Sequence, residues 1–98
     1  MNRYWVYILQ CFDGSYYTGV TNELERRLNE HHEGIVRKCY TRNKRPVKLV
    51  FHQEFQFVDE AIAWEKQIKG WSRKKKEALI NGDYGKLKEL AKRRSSKG

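Results

Sequence analysis

The chain has 98 residues, which is room for one domain around one modest core. With 39% hydrophobic and 13% aromatic residues it can pack a globule, which excludes wholesale disorder. The longest apolar run, Trp5 to Leu9, is one strand long and far short of the ~20 residues that span a bilayer, so no membrane partner is expected. The opening Met-Asn-Arg-Tyr-Trp enters structured sequence at once and leaves no place for a signal peptide. Cys11 and Cys39 form no zinc or redox spacing and read as free thiols in a reducing cytoplasm.

The formal charge of +9 is unevenly spread. From Lys69 to Gly98 there are 11 Lys/Arg against 3 Asp/Glu, and Arg37 to Lys48 holds six basic residues and no acid. The remainder is net acidic. Two concentrated positive regions on an acidic body predict a surface that tracks a polyanion. Arg37, Lys38, Arg42, Lys44 and Arg45 would form one part of that surface, and Lys69, Arg73, Lys74 and Lys75 the other. The plain alternative is a solubilising basic helix.

In chain order, Arg3 to Phe12 is aromatic and β-branched and predicts a strand. Asp13-Gly14 marks a hairpin, and Ser15 to Thr21 the returning strand. Asn22 is a good N-cap, Glu25 completes a capping-box pattern, and Gly34 ends the helix. On that helix Leu24, Arg27, Leu28 and His31 share one stripe, while Arg26 and Glu30 pair along another. The basic stretch Arg37 to Arg45 reads as a loop. Pro46 leads into a third strand, Val47 to Phe55, with Val47, Leu49 and Phe51 alternating. Asp59 caps a second helix to Lys69, with Gly70 as its stop. Ser72 caps a third through Ile80, stopped by Asn81-Gly82, and Asp83 opens a fourth carrying Leu87, Leu90 and Ala91. Residues 1–94 read as a single domain, with a disordered basic tail at 95–98. The order ββαβααα predicts an α+β fold with a small, three-stranded, mostly antiparallel sheet flanked by helices.

Two charged residues stand where core residues belong. On the second helix the inward stripe is Ala61, Trp64 and Ile68, and Glu65 falls beside Trp64 on it. A carboxylate facing a core must be paired, protonated or metal-bound. On the first helix Arg27 lies between Leu24 and Leu28, with His31 one turn on. Arg27 and Glu65 pairing with each other, or Arg27 pairing with Glu23, would explain both without any function. The hairpin adds the phenols of Tyr7, Tyr16 and Tyr17, each of which taken singly is an ordinary half-buried packing residue.

The ordered set of Tyr7, Tyr17, Gly19, Arg27 and Glu65 resembles the GIY-YIG nuclease superfamily. Its first tripeptide stands here as Val6-Tyr7-Ile8 and its second as Tyr17-Thr18-Gly19. Arg27 follows at the spacing of the helical arginine, and Glu65 sits in a helix after the third strand, where the metal-binding glutamate belongs. The likeness runs from Tyr4 to about Ile80. The chain is similar to a subgroup of small stand-alone bacterial members through Gln10-Cys11, Asp13 to Gly19, and Glu65-Lys66-Gln67-Ile68-Lys69. Val6 and Thr18 replace a glycine and an isoleucine of the tripeptides. Val20 stands where some repair-type members carry a lysine. His31 matches a position held by His or Tyr in several active members, and Asn81 is not assigned to the family's late asparagine.

The resemblance implies a metal-dependent endonuclease acting on nucleic acid, DNA in the first place. Glu65 would hold Mg²⁺ or another divalent cation, mostly through waters and the substrate phosphate. Arg27 would pair with a non-bridging phosphate oxygen. Tyr7 would activate the water, with Tyr17 or His31 shaping or relaying the proton. Strand parity sets a condition on this site. A two-residue Asp13-Gly14 turn would point Tyr7 and Tyr17 to opposite faces of the sheet. A shared site requires an odd loop, such as a three-residue turn with Gly14 left-handed and a G1 bulge, and that loop is the expectation. The competing readings are a non-catalytic DNA- or RNA-binding module of the same fold, which a partner protein would direct, and an interaction protein whose Lys69 to Arg94 region meets an acidic partner.

Overall fold

A computed structural model describes residues 3–34 and 43–95. Arg37, Lys38, Cys39, Arg42 and residues 96–98 of the expected tail lie outside the described residues. The elements are β1 (Tyr4–Cys11), β2 (Tyr16–Thr21), α1 (Leu24–Glu33), β3 (Val47–Phe55), α2 (Val58–Lys69), α3 (Arg73–Ile80) and α4 (Tyr84–Ser95). This is the expected ββαβααα order of an α+β fold. The sheet is antiparallel throughout, with β1 between β2 and β3.

The central position of β1 accounts for its composition. Helices cover both of its faces, so Val6, Tyr7, Ile8 and Leu9 are all buried, an unbroken apolar run where a half-exposed strand would alternate. Val6 and Ile8 cluster with Ala61 and Ile68 of α2 and Leu79 of α3. Tyr7, Leu9 and Cys11 cluster with Val47 of β3, under Leu24 and Leu28 of α1. The sheet thus carries α1 on one face and α2 with α3 on the other. Among the described residues, no helix is long and apolar enough to cross a membrane.

The hairpin satisfies the parity condition. Gln10 pairs with Tyr16 and Leu9 with Tyr17. The Cys11 N–H donates to Ser15 O (2.8 Å), and the Gly14 N–H donates to Cys11 O (2.9 Å). Three residues, Phe12 to Gly14, therefore make the turn, and Gly14 is left-handed at φ 86°. This is a type I turn with a G1 bulge, a geometry that strains any residue bearing a Cβ at Gly14. Tyr7 and Tyr17 consequently share the face under α1. Tyr16, expected beside them, points to the other face, where it packs against the α2–α3 cluster.

Three local expectations are corrected. The capping box at Asn22 does not form: α1 begins at Leu24 with Glu23 at the N-cap, and no side chain caps it. Glu23 is drawn instead to Arg26 (2.9 Å), and its N–H donates to the hydroxyl of Thr21 (3.1 Å). Asp59 is likewise not the cap of α2, which begins one residue earlier behind Phe57; Asp59 and Glu60 serve the helix dipole from inside the first turn. In β3 the alternation breaks, because the β1–β3 register shifts between Ile8, opposite Phe51, and Leu9, opposite Leu49. Val50 is the extra residue of a bulge. Phe51 therefore leaves the stripe of Val47 and Leu49 and packs on the α2 face. The caps at Ser72, which accepts from the Lys75 N–H, and at Asp83, which accepts from the Lys86 N–H, are as expected.

Candidate active site

Under α1, the absence of a side chain at Gly19 decides the geometry. Gly19 lies directly opposite Tyr7 on the edge strand β2. The Tyr7 ring crosses over it so closely that a Cβ at position 19 would stand 2.5 Å from the phenol oxygen. That passage brings the hydroxyl to within 3.1 Å of Nε2 of His31, with Tyr7 2% and His31 1% exposed. The Tyr17 ring completes the group, its centroid 5.3 Å from that of His31 and 6.3 Å from that of Tyr7. Tyr17 is only half-buried, so of the two tyrosines it is the one that meets solvent. Arg27 and His31 are one helical turn apart on α1 and face the same way.

Burial holds the His31 pKa below its ordinary value, and the nearby charge of Arg27 lowers it further. His31 is therefore neutral near pH 7 and presents one ring nitrogen as an acceptor. A stability effect follows. As pH falls below the ordinary histidine value of ~6.5, the unfolded chain binds a proton at His31 that the folded chain resists. Folding stability contributed by this site is complete above that pH and declines as pH falls toward the lowered folded value. Urea unfolding of the parent and of His31→Asn between about pH 7.5 and pH 5.5 checks this. The parent is expected to lose more stability on acidification than the variant, and parallel losses would contradict it.

Neither of the two ion pairs that would account for Arg27 without a function forms. Its Nε faces Glu30, three residues on, at 3.6 Å, and the side chain is 37% exposed. Such half-exposed pairs contribute about 0–1 kcal/mol, so exchanging Glu30 for a phosphate costs little.

Glu65 sits on the other side of the sheet. It shares the buried stripe of α2 with Ala61 and Ile68 and is 8% exposed. Its carboxylate accepts from Lys69 Nζ at 2.6 Å, one turn along the helix. The site residues thus come from both faces, and strand β2, an edge strand that carries Tyr17 and Gly19, lies between them. Thr18 on β2 points toward the α2 face, and its buried hydroxyl has no partner among the described residues. Its orphaned state is legible only from parity: an isoleucine there would leave nothing unsatisfied.

The donor chemistry constrains any metal. Among the described residues no group of three or more His, Cys, Asp or Glu could cage an ion. One buried carboxylate does fit Mg²⁺, which keeps much of its water and is held through one or two carboxylates plus substrate phosphates.

The basic residues are more committed than the charge pattern suggested. Lys44 donates to Asp13 at 2.6 Å, which with the Ser15 hydroxyl holds that carboxyl far below the usual range. Arg45 lies against Gly34 and donates to His32 O at the end of α1 (3.4 Å). Arg73 donates to Gly14 O (2.8 Å), pairs with Glu77 (3.2 Å) and stacks on Tyr16. Burial, reinforced by Glu77, raises the Tyr16 pKa. Arg73 therefore ties α3 to the hairpin. Lys69 is held by Glu65, and Lys75 lies over the Trp71 ring at 4.4 Å. Lys74 is exposed. Asn81 is the C-cap of α3. A concavity of about 690 Å³ beside Trp5, Glu23 and Glu25 contains none of the tyrosine group.

The GIY-YIG catalytic-domain profile matches residues 3–78, and the chain belongs to that family, whose superfamily is one of nucleases. Within it, the chain is similar to the UPF0213 proteins. It is 44% identical to BH0048 of Halalkalibacterium halodurans over 92 residues, covering 94% of this chain and 96% of that one. It is 40% identical to YazA of Bacillus subtilis over 79 residues, covering 81% and 79%. Two solution NMR structures share the fold. That of BH0048 gives a TM-score of 0.54 at 44% identity, covering 81% of this chain and 83% of its own. That of EF2693 from E. faecalis gives 0.59 at 37%, covering 86% and 88%.

Proposed function

We propose that the chain is a divalent-metal-dependent endonuclease that hydrolyses DNA phosphodiester bonds around the edge strand β2. The observation that carries this reading is the Tyr7–His31–Tyr17 group beside Arg27, assembled by a hairpin register that an even turn would have destroyed. Arg27 pairs with a non-bridging oxygen of the phosphate, where its planar fork and fixed charge oppose the charge developed in the transition state. The burial of Tyr7 moves the solvent-facing role to Tyr17, which orients the attacking water. Tyr7, locked over Gly19, holds the neutral imidazole of His31 as a proton acceptor within the group. Glu65 would hold Mg²⁺, which when bound supplies charge neutralisation at the phosphate and acidifies coordinated water. Lys69 must release the carboxylate for this to happen.

The grip of Lys69 on Glu65 favours a second reading, a domain that binds nucleic acid but does not cut it. Purified protein incubated with duplex, branched and single-stranded DNA, with and without Mg²⁺, separates the two. The nuclease reading predicts Mg²⁺-dependent cutting that Glu65→Ala reduces at least ~10³-fold. Cutting unchanged in that variant removes the enzymatic claim. Salt-sensitive binding without cutting establishes the binding module.

A further inference from the structure

Away from the tyrosine group, α2, α3 and α4 enclose a groove of about 530 Å³ lined by Gln67, Trp71, Lys75, Tyr84, Leu87 and Lys88. Tyr84 is 65% exposed, and nothing among the described residues partners its hydroxyl. Trp71 packs one part of itself on the α2–α3 core and carries Lys75 over its ring at 4.4 Å. The lining has two lysines and no acid, and α4 runs on into Lys92, Arg93 and Arg94. Trp71 follows Glu65 by fewer than two turns' worth of chain, so the groove lies on the α2 side of the sheet.

We propose that this groove is an accessory site for unpaired nucleotides, in which a base stacks on Tyr84 beside Trp71 while Lys75 and Lys88 neutralise the flanking phosphates. Aromatic faces interleaved with lysines are what a single strand requires, because every base has a π-face and the backbone charge recurs with each nucleotide. Gln67 adds an amide that can bond a base edge. An acidic peptide would use the lysines and leave the exposed aromatic ring without purpose. The groove's size suits one nucleotide, and its function stands whether or not the β2 site cuts.

The test is binding, measured by fluorescence anisotropy in EDTA so that no cleavage intervenes. The probes are a short labelled oligothymidylate and an abasic phosphodiester oligomer of the same length and charge. The parent is expected to prefer the thymidylate by roughly 5- to 20-fold, and Tyr84→Ala to lose most of that preference. Lys88→Ala should weaken both probes alike and reduce the salt slope. Tyr84 and Lys88 are exposed, so neither variant should disturb folding, and the unfolding midpoint of each verifies that. Equal binding of the two probes by the parent, or an unchanged preference in Tyr84→Ala, overturns the proposal. The former result would leave an electrostatic surface, the outcome expected for an acidic protein partner.

Discussion

Arg27→Ala is expected to slow phosphodiester cleavage by about 10²–10³-fold while changing the unfolding free energy by less than about 0.5 kcal/mol. The asymmetry follows from the setting of the side chain. Arg27 is half-exposed, and its described ion pair, with Glu30, is long and wet. Little folding energy is lost with it. Its catalytic contribution is an aimed, permanent charge, which has no substitute nearby, since Lys44 and Arg73 are each bound elsewhere in the fold and Lys69 stands with Glu65 on the other side of the sheet. Arg27→Lys keeps the charge and loses the fork, so its rate should fall between parent and alanine. Single-turnover cleavage together with urea unfolding checks both halves. A loss of stability matching the loss of rate would make Arg27 a structural residue.

Gly19→Ala is expected to be the most damaging small substitution in the sheet. The new methyl carbon would stand 2.5 Å from the Tyr7 oxygen and 2.6 Å from the ring carbon bearing it. The obstacle is the rigid end of a buried aromatic side chain, held on its far side by His31. Overpacking of this kind costs typically 1–3 kcal/mol, and displacing the ring also breaks a buried hydrogen bond worth about 1 kcal/mol. The sum, about 2–4 kcal/mol, should lower Tm by roughly 10–20 °C in a domain of this size. Tyr7→Leu removes the obstructing ring, so Gly19→Ala should cost far less in that background, a strong coupling between neighbours. Thermal unfolding of the two single variants and the double variant reads this directly. Additive losses would mean that Tyr7 does not pass over Gly19.

Much of this site is legible in the sequence because it depends on local rules. Strand parity alone required an odd hairpin loop before Tyr7 and Tyr17 could meet, and Gly14 at φ 86° supplies it. The apolar stripe of α2 exposed Glu65 as an anomaly, and it is buried as that stripe demands. The failures share a different cause: they turn on contacts between residues distant in sequence, or on close competition between neighbours. Asn22 has the composition of an N-cap, but the helix starts one residue later behind Glu23 with no side-chain cap, and Thr21 accepts from the Glu23 N–H. The bulge at Val50, which sends Phe51 to the opposite face, leaves no mark in the hydrophobic pattern. The basic count could not show that Arg73 is engaged by Gly14, 59 residues away, and Lys44 by Asp13, 31 residues away. Net charge therefore does not tell cations held within the fold from those left at the surface, and Lys88, beside the exposed ring of Tyr84, does not stand out in the sequence.

The central claim is that side chains from both faces of the sheet act on one phosphodiester around strand β2. It is tested most directly by single-turnover cleavage of one labelled DNA by the parent, Arg27→Ala, Glu65→Ala and the double variant. Residues that act as a unit are strongly non-additive. Each single variant should lose at least ~10²-fold, and the double variant should cut little more slowly than the worse single one, with the fold intact in all. Parental cutting in either single variant would contradict the claim.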